Sequence, residues 1–150
     1  MDQAHREAKD SIVELRNVIR GVHPAVLEDR GLDAAVSALA ARSPVPVRVD
    51  VDVPVRPTRT VEAVAYFVVS EALTNVAKHA HATRAVVKVA TAEGRLLVSV
   101  SDDGVGGADG RAESGLTGLR ERVRAVDGTF DLTSLPGHGT TLKVEVPCGS

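Results

Sequence analysis

The sequence predicts an α+β fold, a two-layer α/β sandwich in which a mixed, mostly antiparallel sheet carries helices on one face and follows an N-terminal helix. Two patterns predict it. Short segments bounded by Gly and Pro alternate apolar with polar residues, as strands with one buried face do. Longer segments repeat apolar residues every three or four positions, which is typical of helices packed along one side. Because helices do not alternate with every strand, this sandwich is favoured over a doubly wound parallel sheet.

The elements follow each other without an internal repeat. Predicted helices span 2–22, 32–42, 61–80 and 116–126, and predicted strands span 45–53, 84–91, 95–102, 129–134 and 139–146. The first helix rests on the spacing of Ile12, Leu15 and Ile19, and Pro24 ends it because the residue before a proline avoids helical geometry. That spacing fits both an amphipathic helix packed on its own domain and part of a dimerising bundle.

Glycine, proline and capping residues set the boundaries of the later elements. The first strand has valine at every odd position, and the prolines in and beside it indicate a sheet edge. Thr60 is expected to cap helix 61–80. A turn over 92–94 joins the next two strands, Gly128 ends helix 116–126, and Gly137 lies in the turn between the last two strands.

Composition excludes several classes of function. The net charge is −2, and the chain has no Trp, one Tyr and two Phe, so it lacks the basic patch and stacking aromatics of a nucleic-acid-binding protein. Cys148 is the only cysteine, which excludes an internal disulfide and fits a reducing compartment. The most apolar stretch is too short to span a bilayer. We therefore expect no nucleic-acid partner, no membrane contact by this chain, and a cytoplasmic location.

A polar cluster in helix 61–80 carries the first functional signal. At 100° per residue, Glu71, Asn75 and Lys78 fall within an arc of about 60°, and His79 follows Lys78. The arc borders an apolar stripe, so we expect it to face a groove beside the core. Carboxylate, amide and ammonium groups suit a polyphosphate with Mg²⁺, which takes one or two protein oxygens and completes its shell with phosphate and water. A solvated helix face is the alternative.

Asp102 is predicted to lie on the core-facing side of strand 95–102. A carboxylate there is costly unless a hydrogen-bond donor pairs with it, and the exocyclic amine of a purine would be such a donor. The alternative is an aspartate that caps the following turn. This segment alone favours that alternative.

Three glycine-bearing segments complete the pattern. They contain Gly104 and Gly106, Gly115 and Gly118, and Gly139 with Thr140. The first is a loop that can approach a ligand closely, and the second begins a helix, where free N–H groups favour phosphate. The third is a tight link between strands. A flexible loop, an ordinary helix start and a hairpin turn would explain each segment alone.

In this order the segments resemble the ATP-binding domain of the GHKL superfamily, which has the Bergerat fold. The matching motifs are the N box (Glu71, Asn75), the G1 box (Asp102, Gly104, Gly106), the G2 box (Gly115 to Arg122) and the G3 box (Gly137, Gly139, Thr140). Lys78 and His79 after the asparagine are more similar to sensor histidine kinases than to topoisomerases or mismatch-repair ATPases. The upstream segment resembles the NarL/DesK-type subgroup of those kinases.

The resemblance implies ATP and Mg²⁺ as cofactors and a role for each matched residue. The implied ATP-binding residues are Asn75, Lys78, His79, Asp102, Gly104, Gly106, Gly115, Leu116, Gly118, Gly139 and Thr140. Asp102 would bind the adenine amine, Asn75 would coordinate Mg²⁺, and Glu71 would assist phosphoryl transfer as the catalytic residue. Glu113 departs from the family pattern, because it occupies the first glycine position of the G2 box.

The resemblance also implies a fragment of a longer protein histidine kinase. Residues 1–42 would be a partial dimerisation and phosphotransfer helix with a linker, and residues 43–150 the catalytic ATP-binding domain. The acceptor histidine would lie outside this chain, since His5 does not match it, so the fragment would be unable to phosphorylate itself. The full-length kinase would form a homodimer, serve a response regulator, and be either cytoplasmic or anchored to the membrane.

Two alternative functions stay open. One is a free-standing serine protein kinase of the anti-sigma-factor type, and the other is a nucleotide-sensing module without catalysis. The apolar seam of the first helix favours the sensor kinase, because anti-sigma-factor kinases lack such a helix.

Overall fold

The structure is a computed structural model that describes residues 25–79, 81–105 and 114–148. In chain order, its elements are α1 (Ala25–Ala41), β1 (Val47–Asp52), α2 (Arg59–His79), β2 (Ala85–Ala92), β3 (Arg95–Asp102), α3 (Ser114–Arg124), β4 (Thr129–Ser134) and β5 (Thr140–Pro147). The predicted strands and the two later helices are present, with boundaries shifted by one or two residues. The predicted helix over 2–22 lies outside the described residues.

The five described strands form one sheet in the order β1-β2-β3-β5-β4. β1 pairs with β2 in parallel, and the other three pairings are antiparallel. The predicted mixed, mostly antiparallel sheet is therefore confirmed. One face of the three central strands is buried, through Ala85, Val87, Val89, Leu96, Val98, Val100, Leu142, Val144 and Val146.

The opposite face of the sheet is polar and pairs unlike charges across strands. Asp50 lies opposite Lys88, and Asp131 lies opposite Lys143. All four side chains are exposed. Such cross-strand pairs stabilise a solvent-facing sheet modestly. The described helices pack on the other, apolar face.

α2 is the central helix of the other layer. Its buried stripe is the predicted one, Val61, Ala65, Val68, Ala72 and Val76. Its cap is not Thr60, because the Thr58 hydroxyl accepts a hydrogen bond from the Val61 N–H at 3.3 Å and the Thr58 carbonyl accepts one from the Glu62 N–H at 2.9 Å. The prediction misplaced the cap because two threonines lie within one turn of each other.

α1 begins seven residues before the predicted start of the second helix. Residues 25–30 are helical, and Gly31 interrupts the helix with φ 85° and ψ −173°. Leu27 and Val36, on either side of this kink, are fully buried. A single apolar period does not extend across a kink, so the sequence pattern showed only the second half. The domain boundary at residue 42 stays a prediction.

α3 ends in a way that the sequence only partly predicted. Asp127, not Gly128, has the left-handed backbone, with φ 61°, while the Gly128 N–H donates to the Val123 carbonyl at 3.0 Å. A Cβ on Gly128 would lie 2.5 Å from the Val146 side chain. Gly128 is therefore needed for close packing, and Asp127 supplies the turn.

Candidate functional site

The polar cluster of α2 lies where the sequence predicts it, beside the buried stripe. Glu71 and Asn75 are half-buried and Lys78 is exposed. Glu71 and Asn75 therefore lie at the margin between the core and solvent, and Lys78 extends into water. His79 is the last residue of the helix, and its side chain lies outside what the structure describes.

Asp102 ends β3 on the same face as the buried Leu96, Val98 and Val100. Its side chain is half-buried, and its Oδ1 accepts a hydrogen bond from the Gly104 N–H at 2.8 Å. This is the turn cap that the sequence offered as an alternative. Within the described part of the chain, Oδ2 accepts no hydrogen bond, so the same carboxylate can cap the turn and still accept from a ligand amine.

The turn before β5 packs directly against Asp102. Gly139 is buried and has φ 73°, and a Cβ at this position would overlap the carbonyl oxygen of Asp102. Thr140 lies opposite Asp102 in the ladder between β3 and β5, and its hydroxyl is hydrogen-bonded to that of Ser134 at 2.7 Å. A glycine is thus required where the two segments meet.

A further backbone contact joins the same turn to the loop after β3. The Gly137 N–H donates to the Val105 carbonyl at 2.7 Å, and Gly104 is buried. Gly106 and Glu113 lie outside the described residues. The part of this loop that the structure describes is therefore tied to the turn between β4 and β5.

α3 is attached to the rest of the domain through two arginines. The Arg122 guanidinium lies over the Phe67 ring at 4.6 Å from its centroid, and Arg120 lies over Phe130 at 5.0 Å. Both contacts are cation–π interactions. Phe67 lies one turn before Glu71, so α3 is held beside the polar cluster of α2.

The start of α3 holds the remaining predicted residues. Gly118 is exposed, and a Cβ there would meet open space. Gly115 and Leu116 belong to α3, but their side-chain environment lies outside the described structure. A specific need for glycine at 118 is therefore not visible in packing.

Asp103 is a residue that the sequence interpretation missed. Its Oδ1 accepts hydrogen bonds from the N–H groups of Thr83 at 2.8 Å and Arg84 at 3.1 Å, and its Oδ2 accepts one from the Thr83 hydroxyl. The hydroxyl and N–H of Thr83 are the main reasons that the pKa of Asp103 falls from 3.8 to about 2. The signal available in the sequence was a second aspartate at the strand end, on the face opposite to Asp102.

Sheet pairing brings three of these segments together at the end of β3. Ala85 and Thr140 both lie opposite Asp102, and residues 81–84 connect the end of α2 to β2. The end of α2, the end of β3 and the turn before β5 are therefore neighbours. Together they offer a carboxylate oxygen, a half-buried amide and an ammonium group.

These three groups could bind a metal ion only together with an anionic ligand that supplies further oxygen atoms to the metal. Among the described residues, no three His, Cys, Asp or Glu side chains are grouped so that they could hold a metal ion. A single amide oxygen matches Mg²⁺, which retains water and phosphate ligands.

In the part of the chain that it describes, the structure contains no helix that is both long and apolar enough to cross a membrane.

Comparison with known proteins identifies the family. Residues 60–150 match the family described as histidine kinase-, DNA gyrase B-, and HSP90-like ATPase. The chain is 36% identical over 144 residues to the sensor histidine kinase NarS of Mycobacterium tuberculosis, covering 89% of this chain and 33% of NarS. It is 30% identical over 149 residues to the sensor protein VraS of Staphylococcus epidermidis, covering 93% of this chain and 42% of VraS.

A solved structure is similar as well. The histidine kinase domain of the blue-light-activated histidine kinase EL346 from Erythrobacter litoralis superposes with a TM-score of 0.56 at 25% identity, covering 77% of this chain and 57% of that domain. The chain thus spans about a third to two fifths of the curated relatives. The fold agrees across the matched region.

Proposed function

Because this chain belongs to the family of histidine kinase-, DNA gyrase B- and HSP90-like ATPases, we propose that it is the ATP-binding catalytic domain of a two-component sensor histidine kinase. It holds Mg-ATP for transfer of the γ-phosphoryl group to a histidine outside this chain, and a response regulator receives the group afterwards. The observation that carries the proposal is Asp102, whose Oδ1 caps the turn at Gly104 while its Oδ2, at the end of β3, accepts no hydrogen bond from the described residues.

Asp102 is the residue proposed to recognise the base. Its Oδ2 accepts a hydrogen bond from the exocyclic amine of adenine, which compensates the cost of a half-buried carboxylate. Gly139 lets the turn approach the Asp102 backbone closely, and Thr140 supports the same strand end from β5. Gly104 and Gly106 form the loop beside the nucleotide.

The α2 cluster is proposed to serve the phosphates. The Asn75 side-chain oxygen would hold Mg²⁺, which neutralises charge on the transferring phosphoryl group. Lys78 and His79 contact phosphate oxygens, and Glu71 orients or deprotonates the attacking group. The N-terminal end of α3, with Gly115, Leu116 and Gly118, lies on the phosphate side, where free N–H groups favour an anion.

The rest of the proposal concerns the whole protein. The full-length kinase is a homodimer, it is cytoplasmic or anchored to the membrane, and its subgroup is the NarL/DesK type. Residues 1–42 belong to the dimerisation region and its linker. Of the two relatives described above, NarS is named a sensor histidine kinase and VraS a sensor protein, and neither name supports the serine-kinase alternative.

Calorimetric titration of ATP, with and without Mg²⁺, tests the nucleotide site. Asp102→Asn should weaken binding by about tenfold or more under both conditions, because it loses a charge-assisted hydrogen bond. Asn75→Ala should remove only the gain that Mg²⁺ provides. Asp131→Asn, an exposed aspartate on the other face of the sheet, is the matched control. Equal binding by all variants, or no binding by the wild type, would contradict the proposal.

A further inference from the structure

Asp103 joins two segments that flank the proposed nucleotide site. Its carboxylate accepts the N–H groups of Thr83 and Arg84 and the Thr83 hydroxyl, and its own N–H donates to the Arg84 carbonyl at 3.4 Å. We call these contacts between Asp103 and residues 83–84 the bracket. The bracket ties the connection that follows α2 to the residue that follows Asp102.

The bracket completes the fixation of Asp102. Ala85 and Thr140 hold the Asp102 backbone from the two neighbouring strands, and Gly139 packs against its carbonyl. Both ladders end at Asp102. Asp103 is the next residue, so the bracket holds the chain where strand pairing stops. The bracket contacts use no side-chain atom of Asp102, so among the described residues they do not occupy the Oδ2 that is proposed to bind the base.

We propose that Asp103 is a positioning residue for the base-recognising carboxylate of Asp102, and that it thereby contributes to the preference for adenine over guanine. The inference rests on the proposed function. Adenine presents an amine donor at the position where guanine presents a carbonyl oxygen. A carboxylate held in place accepts the first and repels the second, so it both attracts the correct base and rejects the wrong one.

Two features indicate that the bracket holds a defined geometry. Three donors converge on one carboxylate, and two of them belong to the single residue Thr83. These same donors stabilise the ionised form and thereby lower the pKa of Asp103. A residue that only supported the fold would change stability when replaced, whereas a positioning residue also changes the ratio of ATP to GTP affinity.

The test compares ATP and GTP affinities of the whole chain by calorimetry, at a temperature at which circular dichroism finds every variant folded. Asp103→Ala removes all three accepted hydrogen bonds and should lower ATP affinity about tenfold while leaving GTP affinity nearly unchanged. Thr83→Val removes one donor without changing the charge and should lower ATP affinity about threefold. Asp50→Ala removes an exposed carboxylate from the outer face of β1 and is the matched control.

Asp103→Asn separates bonding from charge, because its amide oxygen can still accept from both N–H groups. It should retain more of the ATP-to-GTP ratio than Asp103→Ala does. An unchanged ratio in Asp103→Ala and Thr83→Val would overturn the inference, and so would an Asp103→Asn variant as impaired as the alanine. If Asp103→Ala does not fold, Thr83→Val and Asp103→Asn decide the result. Absence of ATP binding by the wild type would instead overturn the proposed function itself.

Discussion

At the scale of single residues, the site depends on how closely Gly139 approaches Asp102. Both Gly137 and Gly139 have left-handed backbones, with φ of 81° and 73°. Only Gly139 also lacks space for a side chain, since a Cβ there would overlap the Asp102 carbonyl oxygen, whereas one at Gly137 would meet nothing within 4 Å. Two glycines of one turn therefore have different reasons to be glycine.

This difference predicts unequal effects of two alanine substitutions. Gly137→Ala should lower the free energy of unfolding by about 1 kcal/mol, because alanine is strained in the left-handed region. Gly139→Ala should cost about 2 kcal/mol more, since the methyl group forces β3 and the turn apart. Urea unfolding measures both. Equal losses would contradict the close contact between Gly139 and Asp102.

A second residue-scale prediction follows from the pKa of Asp103. Hydrogen bonds lower this pKa from 3.8 to about 2, and the bond from the Thr83 hydroxyl contributes most. A lowered pKa means that the ionised form stabilises the fold, so its contribution is complete above about pH 4 and is lost as the pH falls through about 2. The difference in unfolding free energy between wild type and Asp103→Asn should therefore shrink over this interval. A difference that does not vary with pH would contradict the bracket.

At the scale of elements, α2 connects a buried carboxylate, paired with a half-exposed arginine, to the polar cluster. Glu62, in its first turn, is 1% exposed, and its Oε2 accepts a hydrogen bond from Arg56 Nε at 2.8 Å. The same guanidinium donates to the Leu27 carbonyl of α1 at 2.7 Å. Arg56 thus fixes the start of α2 and the first half of α1 together.

Removing Arg56 should destabilise the domain strongly. Arg56→Ala leaves the Glu62 carboxylate buried without its cation, at a cost of about 3 kcal/mol in chemical unfolding. A double variant with Glu62→Leu as well should regain much of that loss, because the apolar side chain needs no partner. Arg48→Ala, at an exposed position of β1, should change the unfolding free energy by less than about 0.5 kcal/mol. A mild effect of Arg56→Ala, close to that of Arg48→Ala, would argue against the ion pair.

Local periodicity predicted those elements whose pattern is continuous. The strands largely alternate apolar with polar residues, and the apolar stripe of α2 repeats over about four turns, so both were predictable. The first half of α1 was not, because the kink at Gly31 shifts the apolar face. Thr58 was passed over as the cap of α2, because cap geometry depends on the path of the preceding loop and not on residue type alone.

The candidate site was predictable to a similar extent. Motif order singled out Asn75, Asp102 and Gly139 as candidates without any structure. Asp103 was missed, because its partners Thr83 and Arg84 are about 20 residues away and become neighbours only through the pairing of β2 with β3. The sequence offered cap and ligand contact as alternatives for Asp102, whereas a carboxylate has two oxygens and can serve both.

At the scale of the whole molecule, the site joins segments that only the folded sheet brings together. Asn75 on α2, Asp102 on β3 and Gly139 before β5 lie on separate elements. A ligand that contacts all three binds the folded state and not the unfolded chain. Nucleotide binding should therefore stabilise the domain as a unit.

Mg-ATP should raise the unfolding temperature, by an amount that grows with the logarithm of its concentration above the dissociation constant. At a hundred times the dissociation constant, the expected gain is about 2.7 kcal/mol. Asp102→Asn, with about tenfold weaker binding, should lose about half of this gain while keeping its unliganded stability within about 1 kcal/mol of the wild type. Calorimetric scans at several ATP concentrations measure the effect, and a shift of equal size in the variant would place the nucleotide elsewhere.

The most direct measurement is a crystal structure of this chain with Mg²⁺ and a non-hydrolysable ATP analogue. We expect the adenine amine within about 3 Å of Asp102 Oδ2, with the Gly104 N–H still bonded to Oδ1, and Mg²⁺ on the side-chain oxygen of Asn75. A nucleotide bound away from the ends of α2 and β3 and the turn before β5 would contradict the assignment of the site. So would an adenine amine without contact to Asp102.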